Sequence, residues 1–252
     1  MSKAMYRKDS YANWRDPSKR SAMAVVPLIL EYVRPASVVD VGCGLGMWAS
    51  SFSELGVETV HGMDGHSVPI DELLIPEKDF VAVDLSKPVE TTRNYDLVVS
   101  LEVAEHLPVG AAEIFIRTLT SLGPVIMFSA AVPYQRGANH VNEQWPEYWA
   151  RLFAKHGYRT VDCLRPRIWN DENVEPYYCQ NMIVYVREER LAAYPALADS
   201  VLPAGALPLS LIHPKYYLKR SSFQDSSLKW WGQKLKHYFL AVLRRLRLIR
   251  RA

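Results

Sequence analysis

The chain has 252 residues, 49% hydrophobic and 23% charged, a globular composition that excludes a disordered or fibrous protein. A chain this long buries about 70–75% of its unfolded surface. The net charge of +3 conceals an asymmetry: residues 215–252 carry eleven Lys/Arg against one acid, Asp225, while residues 1–214 carry nineteen against twenty-six acids. An acidic body with a basic tail follows, and such a body argues against nucleic acid as the partner.

The polar start of the chain lacks a signal-type apolar core, and no run of about 18 apolar residues occurs, so neither secretion nor a spanning helix is expected. Cys43, Cys163 and Cys179 stand apart without a C-x-x-C pair. That spacing argues against a disulfide framework or zinc site and suits a cytoplasmic protein.

In chain order, residues 18–33 read as a helix that tolerates Pro27 and stops at Pro35. Strands are predicted over Ser37–Val41, Glu58–Met63, Asp79–Val83, Tyr95–Ser100 and Pro124–Ser129. Helices are predicted near Leu45–Leu55, Val109–Leu122 and Trp145–His156. Two further strands, about Tyr158–Leu164 and Gln180–Arg187, follow with no helix between them. Alternating strands and helices predict an α/β fold, a doubly wound Rossmann-like sheet of about seven strands. The last strand is expected to be antiparallel, at the end of the sheet. The Pro-rich residues 191–214 read as a linker between a domain over 1–190 and a tail over 215–252.

The segment Val38-Val39-Asp40-Val41-Gly42-Cys43-Gly44-Leu45-Gly46 is a strand that ends in G-x-G-x-G and opens a helix. Glycines let the backbone turn sharply and approach a ligand. A dinucleotide fingerprint wants its third glycine at position 47, which is Met, so nothing there favours a pyrophosphate. Asp40, at the strand end, suits an ammonium group or a water. Asp64 ends the second strand, where a carboxylate can accept two ribose hydroxyls. Asp84 ends the third, where it can accept a purine amine. Acids at three successive strand ends line the ligand crevice of such a sheet.

These residues, with Tyr95-Asp96-Leu97-Val98-Val99-Ser100-Leu101-Glu102-Val103-Ala104-Glu105-His106-Leu107-Pro108, resemble class I S-adenosylmethionine-dependent methyltransferases over about residues 18–187. The resemblance implies S-adenosyl-L-methionine as cofactor, held by Asp40, Gly42, Cys43, Gly44, Gly46, Asp64, Gly65, Asp84, Leu85, Ser100 and Glu102. Gly62–Gly65, Asn139–Pro146, Arg165–Trp169 and Gln180-Asn181 look like a bacterial subgroup associated with glycan assembly.

The polar, aromatic-edged loop Phe128–Pro146 lies where an acceptor is expected. His140 there can take a proton from a hydroxyl, with Glu143 to orient it. The alternative is that Asn142 and Glu143 cap the next helix and His140 packs. His106 is the rival base, and with Glu105 it is otherwise structural. Neither histidine stands at metal-ligand spacing with two acids, so no metal is expected. Trp145, Tyr148, Trp149, Trp169, Tyr177 and Tyr178 suit either a sugar face or the core.

Leu228, Trp231, Leu235, Tyr238, Phe239, Val242, Leu246 and Ile249 recur at helical spacing among basic residues. That pattern predicts an amphipathic helix on an anionic membrane surface, making the protein peripheral at the inner face. A nucleic-acid arm, an oligomer helix and a helix on the body are its rivals. The expected activity is O-methylation of a sugar hydroxyl on a glycan or glycolipid, or of another small molecule. The alternatives are a natural-product or nitrogen acceptor, or a non-catalytic donor-binding scaffold.

Overall fold

The structure, a computed structural model, describes residues 8–89, 92–221 and Leu235. Seven strands form one sheet: β1 (Ser37–Val41), β2 (Thr59–Asp64), β3 (Phe80–Ala82), β4 (Leu97–Leu101), β5 (Val125–Ser129), β6 (Tyr158–Val161) and β7 (Ile183–Arg187). Their order is β3-β2-β1-β4-β5-β7-β6. Strands β1 to β5 are parallel, and β7 pairs antiparallel with both β5 and β6. The doubly wound, Rossmann-like sheet of seven strands read from the sequence is therefore present. The antiparallel strand is last in the chain, as expected. It inserts between β5 and β6 instead of lying at the end of the sheet, and β6 takes the edge.

The helices are α1 (Lys8–Tyr32), α2 (Met47–Glu54), α3 (Ala112–Leu122), α4 (Pro146–Lys155), α5 (Arg165–Ile168), α6 (Pro176–Asn181) and α7 (Pro214–Ser221). Two short helices, α5 and α6, thus separate the last two strands where none was expected. The first helix begins at Lys8, well before residue 18, and runs through both Pro17 and Pro27. Each interior proline forfeits a backbone hydrogen bond. Complete burial of Ala22, Val25, Val26 and Ile29 holds the helix together across Pro27.

Successive strand residues serve opposite faces of the sheet. Val38, Val99, Met127 and Val184 join one core with α1 and α2. Val39, Val98, Ile126 and Tyr185 join the other, with Phe115, Ile116 and Leu119 of α3 and Trp149 and Phe153 of α4. Period-two alternation and cover on both faces explain the continuous apolar runs of the central strands.

The chain divides into two units, Met1–Leu211 and Ile212–Ala252. Within the first, the Pro-rich segment folds as two 3-10 stretches, Glu188–Ala193 and Pro195–Ser200. Leu197 is fully buried, and Leu202 N–H donates to the Thr160 carbonyl at 2.9 Å. In the second, α7 is described. The amphipathic pattern expected over 228–249 falls outside the described residues, apart from Leu235.

Candidate active site

The strand order reverses between β1 and β4, which opens a crevice over the carboxyl ends of the parallel strands. Register sets its floor: Asp40 lies beside Gly62, and Asp64 beside Ala82.

The glycine loop is pinned at its base. Gly42 and Cys43 N–H groups donate to the Met63 carbonyl at 2.7 and 3.2 Å, and Gly46 N–H donates to the Cys43 carbonyl at 2.8 Å. Gly42 holds φ 87°. A Cβ there would also stand 2.3 Å from Val103 Cγ2, so both conformation and space require glycine. Asp64 is nearly buried, and its carboxylate accepts N–H bonds from Gly44 at 2.7 Å and Gly65 at 2.5 Å. Desolvation raises its pKa, and those two amides oppose the rise. A carboxylate offers about four lone-pair sites, so two remain for a ligand.

Asp40 is 3% exposed, and one of its oxygens has no partner. Burial, then the Asp64 charge, push its carboxyl up to about 8, against the Ala49 amide at the start of α2. An unsatisfied buried acid is what an ammonium ligand would stabilise. Cys43 is buried with its thiol pKa well raised by burial, and its Sγ lies against the Gly62 backbone, so it acts through packing.

Asp84 stands differently. Ser86 donates to it from N–H at 3.1 Å and from Oγ at 2.5 Å, and Lys87 Nζ lies 3.1 Å away. These contacts lower its pKa and make it the anchor of a turn. Leu85 beside it is buried in the second core. Ser100 is fully buried with its hydroxyl unpartnered.

Across the crevice, the loops after β4 and β5 meet. Glu102 follows β4 at φ 56°, a left-handed conformation that costs a non-glycine residue energy. Its N–H donates to the Ser129 carbonyl at 2.9 Å. Its carboxylate accepts from Gln135 Nε2 at 2.7 Å and Asn181 Nδ2 at 3.1 Å. Gln135 Oε1 in turn accepts from Asn181 at 2.9 Å and Gln180 at 3.0 Å. Burial raises the Glu102 pKa against these amide donors.

Glu105 and His106 lie on a 3-10 turn, Ala104–His106. The backbone carbonyl of Glu105 accepts from Val141 and Asn142 at 2.9 and 3.0 Å, which carries His140 to the same spot. The His106 and His140 rings meet edge to face at 4.8 Å. Glu143 accepts from His140 Nδ1 at 2.8 Å and from the N–H groups of Tyr134 and Arg136 at 2.8 and 2.6 Å. It therefore holds the His140 ring through Nδ1. No side chain caps α4, so Glu143 and Asn142 do not serve as its caps. A Cβ on Gly137 would sit 2.1 Å from His140 Nε2, so any larger residue there must displace the ring.

The expectation of no metal rested on linear spacing. Folding instead brings ligand-type atoms of Glu105, His106 and His140 within 4.8 Å of one another. The two histidines, taken as rivals in the sequence, are neighbours. Of the aromatic residues, Trp149 and Tyr178 are core, whereas Trp145 is 36% exposed and Tyr134, on the loop, is 81% exposed. Gln135, Gln180 and Asn181 were not assigned a role from sequence, though Gln180-Asn181 stood out as a pair.

Residues 14–163 match the family described as a methyltransferase domain. Among curated proteins, the chain is 27% identical to a ubiquinone biosynthesis O-methyltransferase of Rhodopseudomonas palustris (strain TIE-1), over 38% of this chain and 47% of that one. It is 26% identical to a protein of the same name from Bradyrhizobium diazoefficiens, over the same shares. The chain spans about half the length of the curated relatives it matches. Among solved structures, a small RNA methyltransferase gives a likeness of fold at TM-score 0.50 and 19% identity, over 66% of this chain and 25% of that one. Magnesium protoporphyrin IX methyltransferase from Synechocystis PCC 6803, solved with bound SAM, gives TM-score 0.49 and 17% identity, over 68% and 80%.

Proposed function

The chain belongs to the methyltransferase-domain family, and from that premise we propose that it transfers the methyl group of S-adenosylmethionine to an acceptor hydroxyl. The observation that carries this reading is Asp64, whose carboxylate is clamped by the Gly44 and Gly65 amides with lone pairs left for the ribose hydroxyls. Asp40 would receive the donor's ammonium group, and Glu102, just past β4, would stand where donor and acceptor meet. Asp84 stabilises the turn under the purine instead of contacting it.

The acceptor would lie over the loops after β4 and β5. In the direct route, the hydroxyl proton passes to His140 Nε2, whose lone pair is fixed by the Nδ1–Glu143 bond. The acceptor oxygen takes the methyl carbon, and the electrons of the breaking C–S bond stay on sulfur, leaving neutral S-adenosylhomocysteine. Holding oxygen and methyl carbon in line at about 3–3.5 Å accounts for much of the acceleration.

Oxygen is favoured as the acceptor atom by this proton-accepting pair and by the O-methyltransferases among the relatives. Exposed Tyr134, Val141 and Trp145 on the rim suit the flat face of a sugar or an aromatic ring. A sugar hydroxyl on a glycan or glycolipid is the acceptor we favour, with the phenolic class as the second reading. Incubating purified protein with labelled donor and panels of sugar nucleotides, glycolipids and polyprenylated phenols tests it. Methylation confined to phenols would overturn the sugar assignment.

We also propose that residues 215–252 rest on anionic lipid, on the strength of their charge and apolar spacing. No helix among the described residues is long and apolar enough to cross a membrane. Co-sedimentation with anionic vesicles, weakened by salt and lost on truncation after Pro214, is the expected result.

A further inference from the structure

Glu105 is fully buried, and neither carboxylate oxygen meets a hydrogen-bond donor in normal geometry. The backbone amides of Glu105 itself and of Ala131 offset only part of the cost of burying it. A second carboxyl, that of Glu102, held by Gln135 and Asn181, lies alongside it. Facing them, His140 Nε2 stands 4.0 Å from Glu105 Oε1. Nδ1 of the half-buried His106 ring also has no partner. Unmatched ligand-type atoms of Glu105 and His106 thus meet His140 Nε2, carried by a separate loop, within 4.8 Å. Glu105, His106 and His140 form the one such group of three among the described residues.

We propose that Glu105, His106 and His140 bind a divalent first-row transition-metal ion, with Glu102 balancing its charge and the acceptor oxygen taking an open coordination position. Two neutral imidazoles and a carboxylate with open positions suit Mn²⁺, Fe²⁺, Co²⁺ or Zn²⁺ better than Ca²⁺. The outer groups are arranged for this role. The Glu143 carboxylate holds His140 Nδ1 as the donor, which directs the Nε2 lone pair at the cluster, the carboxylate–histidine–metal arrangement. The Asn139 backbone contacts the His106 ring. Gln135 and Asn181 fix the Glu102 carboxylate.

Ligand atoms about 2.0–2.2 Å from one ion lie at most about 4.4 Å apart, and about 3.4 Å in a tetrahedral arrangement, so the 4.8 Å spread must close by about 0.4–1.4 Å when the ion binds. A proton shared by Glu102 and Glu105 would satisfy those two carboxyls but leave His106 Nδ1 unmatched. A cation satisfies all the groups together.

This inference rests on the acceptor placement given above and changes one step of it. The hydroxyl bound to the ion gives its proton to water, its oxygen takes the methyl, and His140 Nε2 is a ligand instead of the base.

The test is titration of Co²⁺ into the chelator-stripped full-length chain, followed by visible absorption. One equivalent should bind with new d–d bands. Glu105→Gln and His106→Ala should each weaken binding at least about 10-fold. Donor affinity, measured beside it, reports folding and the methyltransferase reading separately. Should a variant unfold, Glu143→Gln, outside the ligand set, should still weaken Co²⁺ binding. Parallel titrations with Mn²⁺, Zn²⁺ and Mg²⁺ rank the ions, and Mg²⁺ outranking all of them would overturn the choice of a transition metal. Absent d–d bands at millimolar Co²⁺, or equal binding by wild type and Glu105→Gln, would refute the site. Loss of donor binding with intact Co²⁺ binding would refute the donor assignment alone.

Discussion

The two sides of the crevice are built in opposite ways. On the donor side, Asp64 draws its hydrogen bonds from Gly44 and Gly65, one in the neighbouring glycine loop and one next in sequence. On the acceptor side, Glu102 draws them from Gln135 and Asn181, and Glu105 and His140 reach one another only through loop pairing. The donor side carries unmatched oxygens on Asp40 and Ser100, whereas the acceptor side gathers unmatched atoms on Glu105 and His106. A donor that is the same in every turnover suits a rigid, locally coded cradle. The acceptor side concentrates buried charge that must be matched by what binds there.

Breaking the acceptor side should cost the most. His140→Ala is expected to lower the methyl-transfer rate about 10²–10⁴-fold while leaving donor affinity unchanged. Following cobalt absorption alongside the rate separates a ligand from a base, because only a ligand change moves the absorption. Equal loss of donor affinity would instead merge the two sides. Gly137→Ala should have a smaller effect in the same direction, about 10-fold or more. The added Cβ must push the His140 ring from its place, 2.1 Å away. Its rate and cobalt affinity should fall together, with the melting temperature little changed.

Asp40 sharpens the donor side. Its folded pKa of about 8 lies above the ordinary value of 3.8, so the folded, ligand-free protein holds a proton that the unfolded chain has released between those limits. Its contribution to stability is therefore full below pH 3.8 and is lost as pH rises through about 8, at a slope of at most about 1.4 kcal/mol per pH unit. Asp40→Asn should flatten that part of the stability–pH curve, measured by urea unfolding. Donor binding at pH 6.5 should release a proton, seen as buffer-dependent calorimetric heat, and Asp40→Asn should abolish it. The smallest effect expected is from Trp48→Phe. It removes the 3.2 Å bond from Nε1 to the Tyr178 hydroxyl and should cost about 1 kcal/mol of stability without touching either side.

The same division governs what was legible in the sequence. The glycine loop, Asp40 and Asp64 were readable because a strand ending in closely spaced glycines fixes a local conformation, and the acids lie at strand ends. Asp84 was placed at the right strand end, but its partners Ser86 and Lys87 are ones that only side-chain geometry reveals. The insertion of β7 between β5 and β6 was not legible, since strand order is a long-range choice that period-two patterning leaves open. Nor could spacing show that His106 and His140 are neighbours, or that Gln180-Asn181 reaches Glu102 through Gln135. The short helices α5 and α6 were hidden by prolines at their first turns, which read as breaks but are well accommodated there.

The most direct test of the central claim, that the Asp64 carboxylate holds the methyl donor over β1 and β2, is calorimetric titration of S-adenosylmethionine into wild type and Asp64→Ala. Two hydrogen bonds to a charged acceptor, each worth about 1.5–3 kcal/mol, predict a loss of affinity of at least about 10²-fold in the variant. Unchanged affinity, or binding of a nicotinamide dinucleotide with none of the sulfonium donor by wild type, would contradict it.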